Sequence, residues 1–211
     1  MRYKYHPPYL IKKLFNNFIW ETSYNKVQLT FDDGPTEAAT QKILSALEIN
    51  QIKAVFFCVG NNIRKHPTLV EKILEDGHTI GNHMMNHKLL TKMKREESVE
   101  EISSFNNLMR EKFNYDVKYF RPPLGRFNLK TTNILNELNL KCVMWNLLTY
   151  DFENSLEKVK YSIDNYLNNN SIIVFHDNIK CNDIIEESLI YTIEQVSKKG
   201  FEFGEPEDCL K

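Results

Sequence analysis

No run of apolar residues in this chain reaches the length of a membrane-spanning helix. No Cys-x-x-Cys pair occurs either: Cys58, Cys142, Cys181 and Cys209 stand far apart, which excludes a zinc knuckle or a dithiol redox motif. Cys58 and Cys142 fall inside strand-like runs, where a thiol simply packs. Basic residues are not clustered among aromatics. With 27 Lys and Arg against 28 Asp and Glu the formal net charge is -1, so nucleic acid is not an expected partner. No low-complexity linker divides the chain, and one domain is expected. Met1-Arg2-Tyr3-Lys4 is basic, but Pro7-Pro8 and Lys12-Lys13 break the stretch that follows, and no small-residue cleavage site appears. A signal peptide is therefore not supported, and the cytoplasm is the expected compartment on that ground.

What is present suits a packed α/β domain. The chain is 42% hydrophobic and 12% aromatic over 211 residues, enough for a full core. Leu10, Ile11, Leu14, Phe15, Phe18 and Ile19 recur at helical spacing, so residues 1–25 read as an amphipathic helical extension packed on the domain formed by 26–211. Strand-like runs at 27–31, 53–59, 78–81, 119–120, 141–145, 171–175 and 201–203 alternate with helical patterns at 36–47, 67–75, 97–113, 129–138, 156–167 and 184–196. Thr36 is placed to cap the first of these helices, and Asp76-Gly77 to stop the second. Strict alternation argues for parallel βα units with helices outside, about seven of them.

The chemistry-bearing residues follow the predicted strands. Thr30-Phe31-Asp32-Asp33-Gly34-Pro35 puts two adjacent acids at a strand end, where like-charge repulsion calls for a cation or an arginine. His83-Met84-Met85-Asn86-His87 spaces two imidazoles four apart, one turn if the segment is helical, so both can reach one divalent ion together with an aspartate. Taken singly, Asp-Asp-Gly reads as a turn, and the histidine pair reads equally as surface or capping residues or as ligands. Arg121-Pro122-Pro123-Leu124-Gly125 and Ile172-Ile173-Val174-Phe175-His176-Asp177 come next, each closing an apolar run.

In that order the four motifs resemble those of the polysaccharide deacetylases, carbohydrate esterase family 4 with its NodB homology domain, over about 27–203. The resemblance implies a distorted (β/α) barrel of about seven parallel strands with outer helices, its motifs on loops at the strands' C-terminal ends. It implies a metal-dependent hydrolase that removes N-acetyl groups from an amino sugar, most plausibly N-acetylglucosamine in a glycan. Asp33, His83 and His87 would hold one divalent metal, zinc first, with cobalt or another ion able to substitute. Asp32 would be the general base, paired with Arg121. Pro122-Pro123 would fix the backbone so that the Leu124 amide faces the oxyanion. His176 would be the general acid, with Asp151 on its other nitrogen. Trp145 and Phe152 offer apolar faces for a pyranose, and for Trp145 a core position is an equal expectation.

Four positions depart from the family pattern. Met84 replaces a Ser or Thr that steadies the histidine loop, Leu148 replaces an acid, and Phe152 replaces a Trp. Leu124 stands where relatives commonly carry Tyr. A non-sugar amide as substrate and a non-catalytic carbohydrate-binding role are the rival readings on the same scaffold. The usual substrates of such enzymes lie in the envelope, which makes an exported or envelope-associated protein the alternative to the cytoplasm.

Overall fold

The structure is a computed structural model that describes residues 5–211, so the basic Met1–Lys4 start lies outside it. The described residues form, in order, α1 (Tyr9–Leu14), β1 (Gln28–Asp32), α2 (Glu37–Ile49), β2 (Val55–Cys58), α3 (Gly60–Lys65), α4 (Pro67–Glu75), β3 (Thr79–Asn82) and α5 (Arg95–Phe113). They continue through β4 (Tyr119–Phe120), α6 (Leu129–Glu137), β5 (Lys141–Cys142), β6 (Leu147–Leu148), α7 (Leu156–Tyr166), β7 (Ile172–His176), α8 (Ile185–Lys198) and α9 (Pro206–Cys209).

One parallel sheet runs β5-β4-β3-β2-β1-β7-β6. It curls into an incomplete barrel, as expected, with the gap between its edge strands β5 and β6. All five residues of β1 are buried, because both faces of a parallel sheet are covered. The alternation of side chains sorts them. Leu29 and Phe31 join Phe56, Ile173 and Phe175 in the layer beneath the helices, where the Phe31 ring stacks on Phe56 at 5.0 Å. Gln28, Thr30 and Asp32 project from the opposite face, into the barrel.

Of the expected strand at 141–145 only Lys141–Cys142 is a strand, and a further strand, Leu147–Leu148, lies just beyond it on the opposite edge. β5 pairs with β4, whereas β6, which the sequence did not separate, pairs with β7. The apolar run from Cys142 to Leu148 hides the break because Val143–Asn146 cross the mouth of the barrel instead of extending one strand. Ile19 forms a parallel bridge with Val143 at that opening. Residues 201–203 contribute only a bridge from Phe203 to Val27. Thr36 occupies the cap position of α2, but its hydroxyl donates to Asp177 Oδ1 at 3.0 Å and accepts no amide of the helix. The pattern expected from Leu10 to Ile19 is helical only over α1, none of whose residues is buried; Phe15, Phe18 and Trp20 beyond it are buried against α6 and its loop.

Truncation of Phe56 to Ala removes a side chain that is almost wholly buried and one member of this stack. It is expected to lower unfolding free energy by about 3–5 kcal/mol, read by urea titration, since cavity and transfer contributions add.

Candidate active site

The site is built at the C-terminal ends of the strands, where the inward face of the sheet runs out into loops. Register sets its first element. Asp32 on β1 lies beside His176 on β7, both two residues beyond the inward pair Thr30 and Val174. Period-two alternation therefore sends a carboxylate and an imidazole into the same mouth.

Arg121, fully buried, follows β4 and spans the interior. Its Nη1 donates to Asp32 Oδ1 at 2.7 Å and to Thr30 Oγ1 at 2.7 Å, Nε donates to the Val143 carbonyl at 2.9 Å, and Nη2 to the Met144 carbonyl at 2.8 Å. The guanidinium lies 4.1 Å above the Phe57 ring. The arginine thus orients the carboxylate of Asp32 and ties the residues crossing the barrel gap to β1.

Asp33, at a positive φ of 79°, turns away from β1 toward the histidine loop. Its Oδ1 lies 3.1 Å from His87 Nε2 and 3.6 Å from His83 Nε2, and one ligand atom from each residue falls within 4.8 Å of the others. His83 donates from Nδ1 to the Arg121 carbonyl at 2.7 Å, which assigns the proton to that nitrogen and leaves Nε2 as an acceptor aimed at the aspartate. Burial, which outweighs the pull of Asp32 and Asp33, holds the His83 pKa below its ordinary value. Burial pushes Asp33 up, but a hydrogen bond from His87 and the charges of His83 and His176 prevail and keep it well below the usual carboxylate range. An ionised carboxylate beside two imidazole nitrogens suits a divalent cation by donor chemistry. Asp33, His83 and His87 fit a metal.

The two histidines do not share a helical turn. The segment is a loop after β3, and the φ angles of Met84 (67°) and His87 (52°) bring the rings together at 5.0 Å between centroids. Asn82 organises it: Oδ1 accepts from the Met84 amide at 2.7 Å, and Nδ2 donates to the Ile102 carbonyl and to Asn106 Oδ1. Glu101 adds two bonds, from the backbone and side-chain nitrogens of Asn86. Met84, fully buried, packs with Phe120 and Ile102.

On the other wall, Asp151 Oδ1 sits 2.8 Å from His176 Nδ1, and its Oδ2 accepts the His176 amide at 2.6 Å. Burial disfavours the imidazolium, but the Asp151 charge and hydrogen bond, with Asp33 and Asp32 further off, raise the His176 pKa to about 9. Its Nε2 remains free of Asp151. The cleft between the walls, about 260 Å³, is lined by Asp32, Asp33, His83, His87 and His176 with Leu124, Trp145, Leu148 and Phe152. Leu124, in a left-handed turn (φ 57°), is exposed at the rim, and Gly125 lies so close to Trp145 that a Cβ there would meet the indole at 2.3 Å. Pro122 accepts from the Gly125 amide at 2.9 Å, closing that turn. Pro123 is buried beneath it.

Two residues around Asp33 had no role in the sequence reading. Asn178 Nδ2 donates to Asp33 Oδ2 at 2.8 Å. Asp177, wholly buried, takes hydroxyl bonds from Thr36 (3.0 Å) and Thr40 (2.6 Å), while its amide donates to the Asp32 carbonyl at 2.7 Å. Its carboxyl occupies the space a side chain at Gly34 would need, 2.1 Å from the hypothetical Cβ. Burial pushes the Asp177 pKa up to about 7 against the two threonine bonds. Position one and two residues after His176 was the available signal for Asp177 and Asn178.

Comparison with known proteins agrees with this geometry. The polysaccharide deacetylase family pattern matches residues 21–143, more than half of the chain. The chain belongs to the polysaccharide deacetylase family. A peptidoglycan-N-acetylglucosamine deacetylase of Bacillus cereus is 37% identical over 132 residues, which cover 62% of this chain and 48% of that protein. The peptidoglycan-N-acetylglucosamine deacetylase PgdA of Listeria monocytogenes is 29% identical over 179 residues, 84% of this chain and 37% of the relative. The chain thus spans about half the length, or less, of these two relatives. The crystal structure of the Bc1960 peptidoglycan N-acetylglucosamine deacetylase superimposes with a TM-score of 0.88 at 27% identity, covering 97% of each chain. The family is metal-dependent, and the Asp33–His83–His87 cluster is the corresponding candidate here.

The Asp151–His176 pair makes a measurable prediction. A raised histidine pKa contributes stability that is complete below about 6.5 and lost as pH rises through about 9. In Asp151→Asn burial remains without its counter-charge. The imidazole titration of metal-free protein, followed by NMR, is expected to move from about 9 back to 6.5 or lower. An unmoved titration would show that Asp151 does not set it.

Proposed function

We propose that this chain is a divalent-metal-dependent N-deacetylase acting on N-acetylglucosamine residues of a glycan, with peptidoglycan as the first substrate to test. The observation that carries this reading is the meeting, in one 260 Å³ cleft, of three metal-ligand side chains with an arginine-held carboxylate on one wall and a carboxylate-held imidazole on the other. The named relatives act on peptidoglycan N-acetylglucosamine, which supports the substrate class. Zinc is the metal assigned first, from the one-carboxylate, two-imidazole donor set, and cobalt is the expected substitute.

Asp33, His83 and His87 hold the ion, which when bound supplies Lewis acidity to the amide carbonyl and to the attacking water. Asp32 accepts the proton of that water; Arg121 keeps its carboxylate aimed, and leaves Oδ2, 4.0 Å from His83 Nε2, on the metal side. The backbone amide of Leu124, fixed by the Pro122-Pro123 step, donates to the developing oxyanion. His176, protonated on both nitrogens and held by Asp151, delivers the Nε2 proton to the departing amine. Leu124, Trp145, Leu148 and Phe152 enclose the acetyl group and one sugar face, so water is kept from the rest of the cleft.

Acetate release from peptidoglycan fragments and from N-acetylglucosamine oligosaccharides tests this reading. Chelation is expected to abolish release, and zinc or cobalt to restore it. Full activity in metal-free protein would refute it.

Changing His176 to Ala should lower turnover by a factor of at least ~100 on a true acetamide, the scale of general acid catalysis. The loss should be much smaller on an acetate ester with a good leaving group, whose oxygen departs unprotonated. Equal losses on both would give His176 a structural role instead.

A further inference from the structure

Helix α1 is turned the wrong way round for a helix that covers a core. Lys12 faces the protein, where it pairs with Glu21. Leu10 and Leu14 each stand two positions from Lys12, about 200° around the helix, and so point outward. Their exposures are 75% and 65%, and neighbouring Tyr9 is 72% exposed. Short apolar helices normally bury this face.

The orientation is held at both ends. Before the helix, Tyr5 is buried, stacks on Tyr166 at 5.1 Å, and its carbonyl accepts the Leu148 amide at 2.8 Å. After it, Phe15 packs edge-on against Phe127 at 4.7 Å, and its carbonyl accepts Trp20 Nε1 at 2.8 Å. Both anchors border the cleft, since Leu148 lines it and Phe127 follows the Leu124–Gly125 turn. Leu129, two residues beyond Phe127, is also exposed.

Charge selects the occupant. Arg2, Lys4, Lys12 and Lys13, four of the chain's 27 basic residues, precede its first acidic one, Glu21, and since Glu21 pairs with Lys12, Lys13 is the cation left beside the apolar face of α1. A six-residue helix, about 9 Å long, is too small to supply the roughly 800 Å² per partner of a stable protein interface. A lipid surface needs only a few inserted side chains with cations beside them, because the bilayer interface accepts apolar groups and anionic headgroups attract Lys and Arg. We propose that the outward face of α1, led by Leu10 and Leu14 with Lys13 beside them, adsorbs this chain to an anionic lipid membrane surface.

The test is co-sedimentation of the full chain with vesicles of phosphatidylcholine alone and of an equal mixture with phosphatidylglycerol. Binding is expected to the mixed vesicles, to weaken with added salt, and to be slight on phosphatidylcholine. The double variant Leu10→Ser, Leu14→Ser should partition at least ~10-fold less, given the apolar area it withdraws. Its thermal unfolding and its acetate release from a soluble oligosaccharide should not change. Lys13→Glu should weaken binding to the mixed vesicles only. No binding by the wild-type chain, equal binding by the double variant, or a dimer in analytical ultracentrifugation that the double variant abolishes would each overturn the proposal. Because the readout is partition, it succeeds or fails independently of the deacetylase reading.

Discussion

One buried ion pair organises this molecule: Arg121 against Asp32. Removing a guanidinium and a carboxylate from water is costly, and their mutual attraction alone does not recover the loss. Here the remaining donors are satisfied by Thr30 and by the carbonyls of Val143 and Met144, and the plane of the group rests on Phe57. Those partners come from β1, β2 and the segment that crosses the barrel gap. The same contacts that make the charge tolerable therefore join the open side of the sheet to its centre, and the carboxylate they fix is the one nearest the metal ligands.

The rest of the site is arranged outward from that pair by carbonyls and carboxylates that each serve two elements. Arg121 lends its own carbonyl to His83 Nδ1, so the residue that orients the base also sets the tautomer of a ligand. Asp151 takes both the ring nitrogen and the amide of His176, leaving the imidazole no freedom to turn away. Asp177, just beyond β7, reaches Thr36 and Thr40 at the start of α2 and so couples the loop that carries Asp33 to the end of the strand that carries His176. Preorganisation of this kind is what a site needs if little reorganisation is to accompany the reaction.

The departures at Met84, Leu148 and Phe152 are compatible with the same geometry. The hydroxyl missing at Met84 is replaced in effect by Asn82, whose side chain bonds the Met84 amide while the thioether fills an apolar pocket with Phe120. Leu148 lines the cleft, and its amide donates to the Tyr5 carbonyl. Phe152 meets the His176 ring edge-on at 5.0 Å and limits the space beside the acid.

Alternation of strand and helix, the order of the motifs and the residue types at each strand end were legible in the sequence, because period-two and helical patterns and turn chemistry are local properties. They were enough to name Asp32, Asp33, His83, His87, Arg121, Asp151 and His176 as residues to look for together. The loop conformation of His83–His87, the split of the run after Lys141 between two sheet edges, and the outward face of α1 were not legible. Each depends on where the chain goes next: a positive φ at Met84 and His87, a barrel that does not close, and a helix held by residues before and after it. The partners Asn178, Asn82, Thr36 and Thr40 belong with these, since an asparagine or threonine shows no sequence preference for one distant carboxylate or amide over another. Which hydrogen bond such a side chain makes is decided only when the sheet has brought its neighbours within 3 Å, for the bond is short-ranged and directional while the local pattern is not.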